Sequence, residues 1–197
     1  GLNMASSNMI RKMVHDGHEF GNHTQTHPHK SATINWEREN AELKAGWDAA
    51  TKAIFKDAVP SNARMLPFWR APYGEYDERS LGQASRAGYP LHFGWNVDVL
   101  DAAGLPACKV DASHPRCVSP ATMTKRIVDF AEKNTWSFDG MVVLAHLQNP
   151  YAWHSTADGL KALVDTFESN GVAIRRLSEF FNADLAPKLG IGVSSSP

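Results

Sequence analysis

Short apolar runs alternate along this chain with stretches whose apolar residues recur at helical spacing, and that alternation limits the fold more than any other feature. Helical spacing covers residues 7–15, 36–55, 77–87, 120–134, 156–170 and 178–185, and strand-like runs cover 19–22, 63–70, 92–97, 141–146 and 172–175. Strands interleaved with helices in this way make a mostly parallel sheet or barrel covered by helices, so the fold class is α/β. Ser119-Pro120 places an N-cap before a first-turn proline, and Gly17, Gly88 and Gly171 fall where helices should end. The segment 101–119 is rich in Pro, Ala and Gly with little periodicity and reads as a long surface loop.

At 197 residues and 43% hydrophobic, the chain suits one domain with a sizeable core, placed at 1–186, with 187–197 as a tail or linker. Lys plus Arg number 20 against 21 for Asp plus Glu, so no net field would draw nucleic acid or an anionic membrane, and the partner is expected to be neutral. No apolar stretch of about 18 residues occurs, so no membrane-spanning helix is expected, and the first residues lack the pattern of a signal peptide. Cys108 and Cys117, nine apart, read either as a loop-closing disulfide or as two unrelated thiols.

Four segments carry side chains suited to chemistry, and all four follow strand-like runs. In Gly21-Asn22-His23-Thr24-Gln25-Thr26-His27, two histidines four apart can face one way on a helical turn and offer imidazole nitrogens to zinc, with His29 a competing ligand; a chance pair among nine histidines is the plainer alternative. Phe68-Trp69-Arg70-Ala71-Pro72-Tyr73-Gly74 runs a strand into a proline-stiffened turn, presenting one guanidinium that either grips a carboxylate or makes a structural salt bridge beside an aromatic plug. In Trp95-Asn96-Val97-Asp98-Val99-Leu100-Asp101, two carboxylates three apart either fix a histidine or pair with arginine, or else are solvated loop residues or caps. Val142-Val143-Leu144-Ala145-His146 ends an apolar run in a histidine, which reads as a general acid or as a packed side chain. Strand ends converge on one face of a parallel sheet, so the four are expected to form one composite site.

In order and spacing these motifs resemble the polysaccharide deacetylases of carbohydrate esterase family 4, the NodB homology domain, over about residues 8–181. The resemblance implies a deformed (β/α) barrel, here expected to be N-terminally incomplete, with a divalent metal, most often zinc, held by His23 and His27. It implies that His146 protonates the leaving group, that Asp101 orients His146 with Asp98 the weaker candidate for that role, and that the Tyr73 N–H stabilises the oxyanion. Arg70 would orient the basic aspartate, Leu144 would wall the pocket for the acetyl methyl, and Tyr73, Trp69 and Asp98 join the substrate-contacting positions.

Two departures from the family pattern stand out. The paired aspartates expected on a first strand, which supply the third ligand and the catalytic base, have no counterpart in residues 1–197, and Asp16 falls at a helix end. A preceding or separate segment is expected to supply that strand. The second departure is Ala102, where the family usually carries an aromatic residue. The implied function is removal of acetyl groups from a polysaccharide, whether chitin, peptidoglycan or O-acetyl xylan, in a secreted or cell-surface setting. The alternative is a non-catalytic relative that binds glycan or metal.

Overall fold

The computed structural model describes residues 4–29, 36–56, 58–101, 114–115, 117–134, 140–146, 161, 164–165, 167–169 and 171–180. The chain divides into two compact units, Gly1–Gly94 with Arg175–Pro197, and Trp95–Ile174.

The first unit is built on a parallel three-stranded sheet in the order β1 (Phe20–Asn22), β2 (Met65–Trp69), β3 (Leu91–His92). Helices α1 (Met4–His15) and α2 (Trp36–Phe55) precede β1 and β2 respectively, and α3 (Glu78–Arg86) lies between β2 and β3. Each helix buries one stripe. Ile10 and Val14, one turn apart on α1, pack with Ile54 of α2 and with Ala63, while Trp47 of α2 tilts against Phe20 at 4.6 Å between ring centroids. Ser80 and Ala84 face inward on α3, whose start is closed by a capping box between Asp77 and Ser80; Trp69, Ala71 and Tyr89 complete that cluster.

The second unit pairs β4 (Val97–Asp98) in parallel with β5 (Val143–Leu144), in the register Val97↔Val143 and Asp98↔Leu144. Between them runs α4 (Pro120–Lys133), where Ser119 accepts a hydrogen bond from the Thr122 N–H as N-cap and Pro120 opens the helix. Met123, Ile127 and Ala131 form its buried stripe, of which Met123 and Ile127 pack against Val97, Val99 and Phe167.

The α/β reading and the parallel pairing hold, and Gly17, Gly88 and Gly171 take the positive φ of helix ends (80°, 95° and 69°). Three expectations fail. The single strand at 92–97 is two strands, because the chain leaves the first sheet after His92 and joins β5 only at Val97. Residues 172–175 form no strand despite their β-branched content, and the described start of the helix expected at 178–185 is a 3-10 turn over Leu177–Phe180, whose Ser178 hydroxyl and N–H both donate to the Glu19 carboxylate, while 181–185 lie outside the described residues. Most of the expected helix at 156–170, most of the loop at 101–119 including Ala102, and the tail at 187–197 lie outside the described residues. Cys117 is disulfide-bonded, and the sequence holds one other cysteine, Cys108, also outside the described residues. No described helix is long and apolar enough to cross a membrane.

The stripe on α4 sets a stability test. Ile127 is 1% exposed, so Ile127→Ala should lower unfolding free energy by about 2–5 kcal/mol in denaturant titration. Met9→Ala, at a position 40% exposed, should change it by no more than about 0.5 kcal/mol.

Candidate functional site

In the first unit, the site starts where β1 ends. Asn22 is buried, and its side-chain oxygen accepts the Thr24 N–H at 2.7 Å, turning Thr24 into the left-handed region (φ 61°). The Thr24 hydroxyl then accepts the His27 N–H at 3.1 Å, and His27 is itself left-handed (φ 50°). His23 and His27 therefore do not ride a helical turn as expected. A hydrogen-bonded loop brings them together, with ring centroids 4.8 Å apart and planes at 75°.

His23 Nδ1 lies 2.9 Å from the Arg70 carbonyl oxygen. A carbonyl only accepts, so Nδ1 carries the proton and the lone pair of the neutral ring sits on Nε2. Fixing one ring nitrogen on a backbone carbonyl is how proteins orient an imidazole for metal ligation through the other. The paired imidazoles thus fit two positions of a divalent metal's shell. Among the described residues, no group of three His, Cys, Asp or Glu side chains is arranged to hold a metal ion.

Arg70 follows β2, where burial lowers its pKa from the usual guanidinium value. It donates through Nε to the Phe93 carbonyl and through Nη2 to the Gly94 carbonyl, both at 3.2 Å, which holds the segment after β3. Ala71 donates its N–H to His92 Nε2 at 3.3 Å. Burial first, and then the nearby Arg70 charge, lower the His92 pKa below its ordinary 6.5. Tyr73 sits in a 3-10 turn, Pro72–Gly74, with φ 57°. The Gly74 and Glu75 N–H groups close that turn on the Ala71 and Pro72 carbonyls, while the Tyr73 N–H makes no hydrogen bond among the described residues. The Tyr73 ring is exposed and meets His27 edge-on at 4.5 Å. Trp69, expected against substrate, is 3% exposed and belongs to the core.

In the second unit, Asp101 and His146 form a clasp. The Asp101 side chain has no exposed surface, whereas that of His146 is 40% exposed. One carboxylate oxygen takes the His146 backbone N–H at 2.6 Å and the other takes ring Nδ1 at 2.9 Å, which fixes the ring plane and directs Nε2 away from the carboxylate. Asp98 has a different task. Its carboxylate accepts the Leu100 N–H at 2.7 Å and stabilises the left-handed Leu100 (φ 60°) in the turn that leads to Asp101. Leu144 pairs with Asp98 across β4 and β5 and is half-buried.

Asn22, Glu75 and His92 escaped the sequence reading as site residues, and His29 entered it only as a competing metal ligand. An Asn directly before a polar loop is an Asx-turn signal, and that signal marks Asn22. Nothing local marks His92, whose role depends on β2 and β3 lying side by side.

The model of the family described as polysaccharide deacetylase matches residues 2–92, which contain both histidines and the Arg70-to-Gly74 turn. Residues 2–92 belong to the polysaccharide deacetylase family. A peptidoglycan-N-acetylglucosamine deacetylase of Bacillus cereus is 25% identical over 175 residues, covering 88% of this chain and 53% of that protein. A chitooligosaccharide deacetylase of Bradyrhizobium is 39% identical over 97 residues, 48% of this chain and 39% of that protein. The chain thus spans about half, or less, of the length of these curated relatives. The solved structure of a peptidoglycan N-acetylglucosamine deacetylase is similar with a TM-score of 0.61 at 21% identity, covering 89% of this chain and 68% of that one, which is a likeness of fold.

Within this polysaccharide deacetylase unit, His92 gives a pH test. Its folded-state pKa is depressed, so between that value and 6.5 the unfolded chain binds more protons than the folded one. The stability held above about pH 6.5 should therefore fall as pH drops through the folded pKa. In His92→Gln, denaturant midpoints measured from pH 7.5 to 5 should decline less steeply than in the parent; an unchanged slope would refute the assignment.

Proposed function

We propose that this chain forms part of a metal-dependent hydrolase that removes acetyl groups from an N-acetylglucosamine polymer, with a (β/α) barrel as its complete fold. The observation that carries the reading is the Asp101–His146 clasp, a fully buried carboxylate spending both oxygens on one half-exposed histidine. Burying a carboxylate is costly unless it is hydrogen-bonded, so this arrangement is a positioning device for the imidazole.

In the proposed reaction His23 and His27 hold a divalent metal, zinc by preference. When bound, the metal supplies Lewis-acid chemistry to the acetyl carbonyl and the attacking water. Tyr73 offers its backbone N–H to the carbonyl oxygen as charge develops there. His146, with Nδ1 given to Asp101, delivers a proton from Nε2 to the leaving amine nitrogen, so that the amine departs neutral. Arg70 braces the His23 ring through its carbonyl and, in the complete protein, orients the catalytic carboxylate. That base and a third metal ligand come from outside residues 1–197 in this reading, and Leu144 borders the acetyl methyl.

The names of the similar proteins favour N-acetylglucosamine polymers over O-acetyl xylan. Secretion or cell-surface display agrees with such a polymeric substrate and with the disulfide at Cys117.

Acetate release from chitooligosaccharide and from peptidoglycan, by the protein that contains this chain, tests the reading. His146→Ala should lower kcat about 10²–10⁴-fold. His23→Ala and His27→Ala should lose both activity and zinc by elemental analysis, and a chelator should silence the parent. A parent with no acetate release on either polymer would favour a non-catalytic glycan-binding relative, and full activity in His146→Ala would remove that residue from the mechanism.

A further inference from the structure

The loop after β1 carries a third histidine that the proposed reaction does not use. His29 lies flat on Tyr73, with ring centroids 3.9 Å apart and planes within 6°, and its Nδ1 is 3.2 and 3.3 Å from the two carboxylate oxygens of Glu75. Glu75 belongs to the Tyr73 turn and closes it through its own N–H on the Pro72 carbonyl. The contacts therefore run in a ring: the turn presents Tyr73, Tyr73 stacks on His29, and His29 is bonded back to the turn. Tyr73 also meets His27 edge-on, and His27 meets His23.

Burial does not explain this train of contacts. Tyr73 is 53% exposed, and the side chains of His29 and Glu75 are 59% and 36% exposed. Both segments that it joins carry left-handed non-glycine residues, Thr24 and His27 on one and Tyr73 on the other. Such backbone persists only where its surroundings over-determine it. An imidazole with one face on a phenol ring and Nδ1 given to a carboxylate is oriented as a strut.

We propose that the His29–Glu75 pair is a positioning clamp that fixes the histidine loop to the Tyr73 turn, holding the His27 ring and the Tyr73 N–H at their working places. The inference rests on the deacetylase reading above, in which those two groups serve as metal ligand and oxyanion donor. His29 and Glu75 act through them and touch neither substrate nor metal.

The test compares His29→Ala, Glu75→Ala and Glu75→Gln in the whole protein, with ¹⁵N amide spectra, zinc titration and steady-state kinetics. In His29→Ala and Glu75→Ala the Tyr73 and His27 amide signals should shift or broaden while those of α4 stay in place. Zinc affinity should drop about tenfold, the size of effect seen when a ligand's supporting partner is lost, and kcat should fall more than KM rises. Glu75→Gln keeps a carbonyl oxygen that can accept from His29 Nδ1 and should restore the Tyr73 signal and most of kcat. Unmoved Tyr73 and His27 signals in His29→Ala, or a Glu75→Gln protein no better than Glu75→Ala, would overturn the clamp. A parent that binds no zinc and releases no acetate would refute the deacetylase reading instead, and the amide signals would still decide whether the clamp exists.

Discussion

The backbone ladder between β1 and β2 fixes where the histidines stand. Arg70 donates its N–H to the Asn22 carbonyl at 2.9 Å, and in an unbroken parallel ladder the Arg70 carbonyl would next accept the Thr24 N–H. Here the Thr24 N–H goes to the Asn22 side chain, and the Arg70 carbonyl takes the His23 ring. The ladder position given up by the backbone is thus filled by an imidazole. Both groups that leave the ladder, the Thr24 N–H and the Arg70 carbonyl, find side-chain partners, so leaving the sheet at this point costs little and orients the imidazole at the same time. The irregular register upstream serves the same end: from Phe20↔Met65 to Asn22↔Trp69, β1 advances two residues while β2 advances four. Gly21 lies at that irregularity, where a Cβ would sit 3.2 Å from the Cβ and carbonyl oxygen of Phe68, so a side chain there would push the two strands apart.

Much of this arrangement was legible in the sequence because strand ends are where parallel sheets expose polar side chains. His23 directly follows β1, Arg70 directly follows β2, and Asp101 and His146 come within a few residues of β4 and β5. The pairing of Asp101 with His146 followed from the family resemblance, since the side chains alone left a histidine and Arg70 equally open as partners of the two aspartates. The conformation of the 23–27 loop was not. A spacing of four suggests a helical turn, but the turn is decided by Asn22 and Thr24, whose side chains capture backbone N–H groups that a helix would need.

The errors in secondary structure have one physical source. Residues 92–97 and 172–175 have strand composition, yet a strand exists only where a neighbour accepts its backbone bonds. Phe93 still donates to Trp69 at 2.9 Å, but the next ladder bonds run from Asn96 and Val97 to Val142, so one apolar run serves two sheets. The run at 172–175 gains no strand partner among the described residues and leads instead into a 3-10 turn tied to Glu19.

The two oriented histidines differ in what holds Nδ1, and the difference matches their proposed tasks. For His23 the acceptor is a neutral backbone carbonyl, which selects a tautomer and nothing more, as suits a ring that ligates through Nε2. For His146 it is a buried carboxylate, which selects the same tautomer and also stands opposite the imidazolium that a proton-transferring ring must form. Exchanging the two acceptors would leave each ring's orientation unchanged while removing that counter-charge from the proton carrier. Only one of these acceptors is written in the sequence. A backbone carbonyl is present at every residue, so the role of Arg70 toward His23 becomes visible only once β1 and β2 are paired.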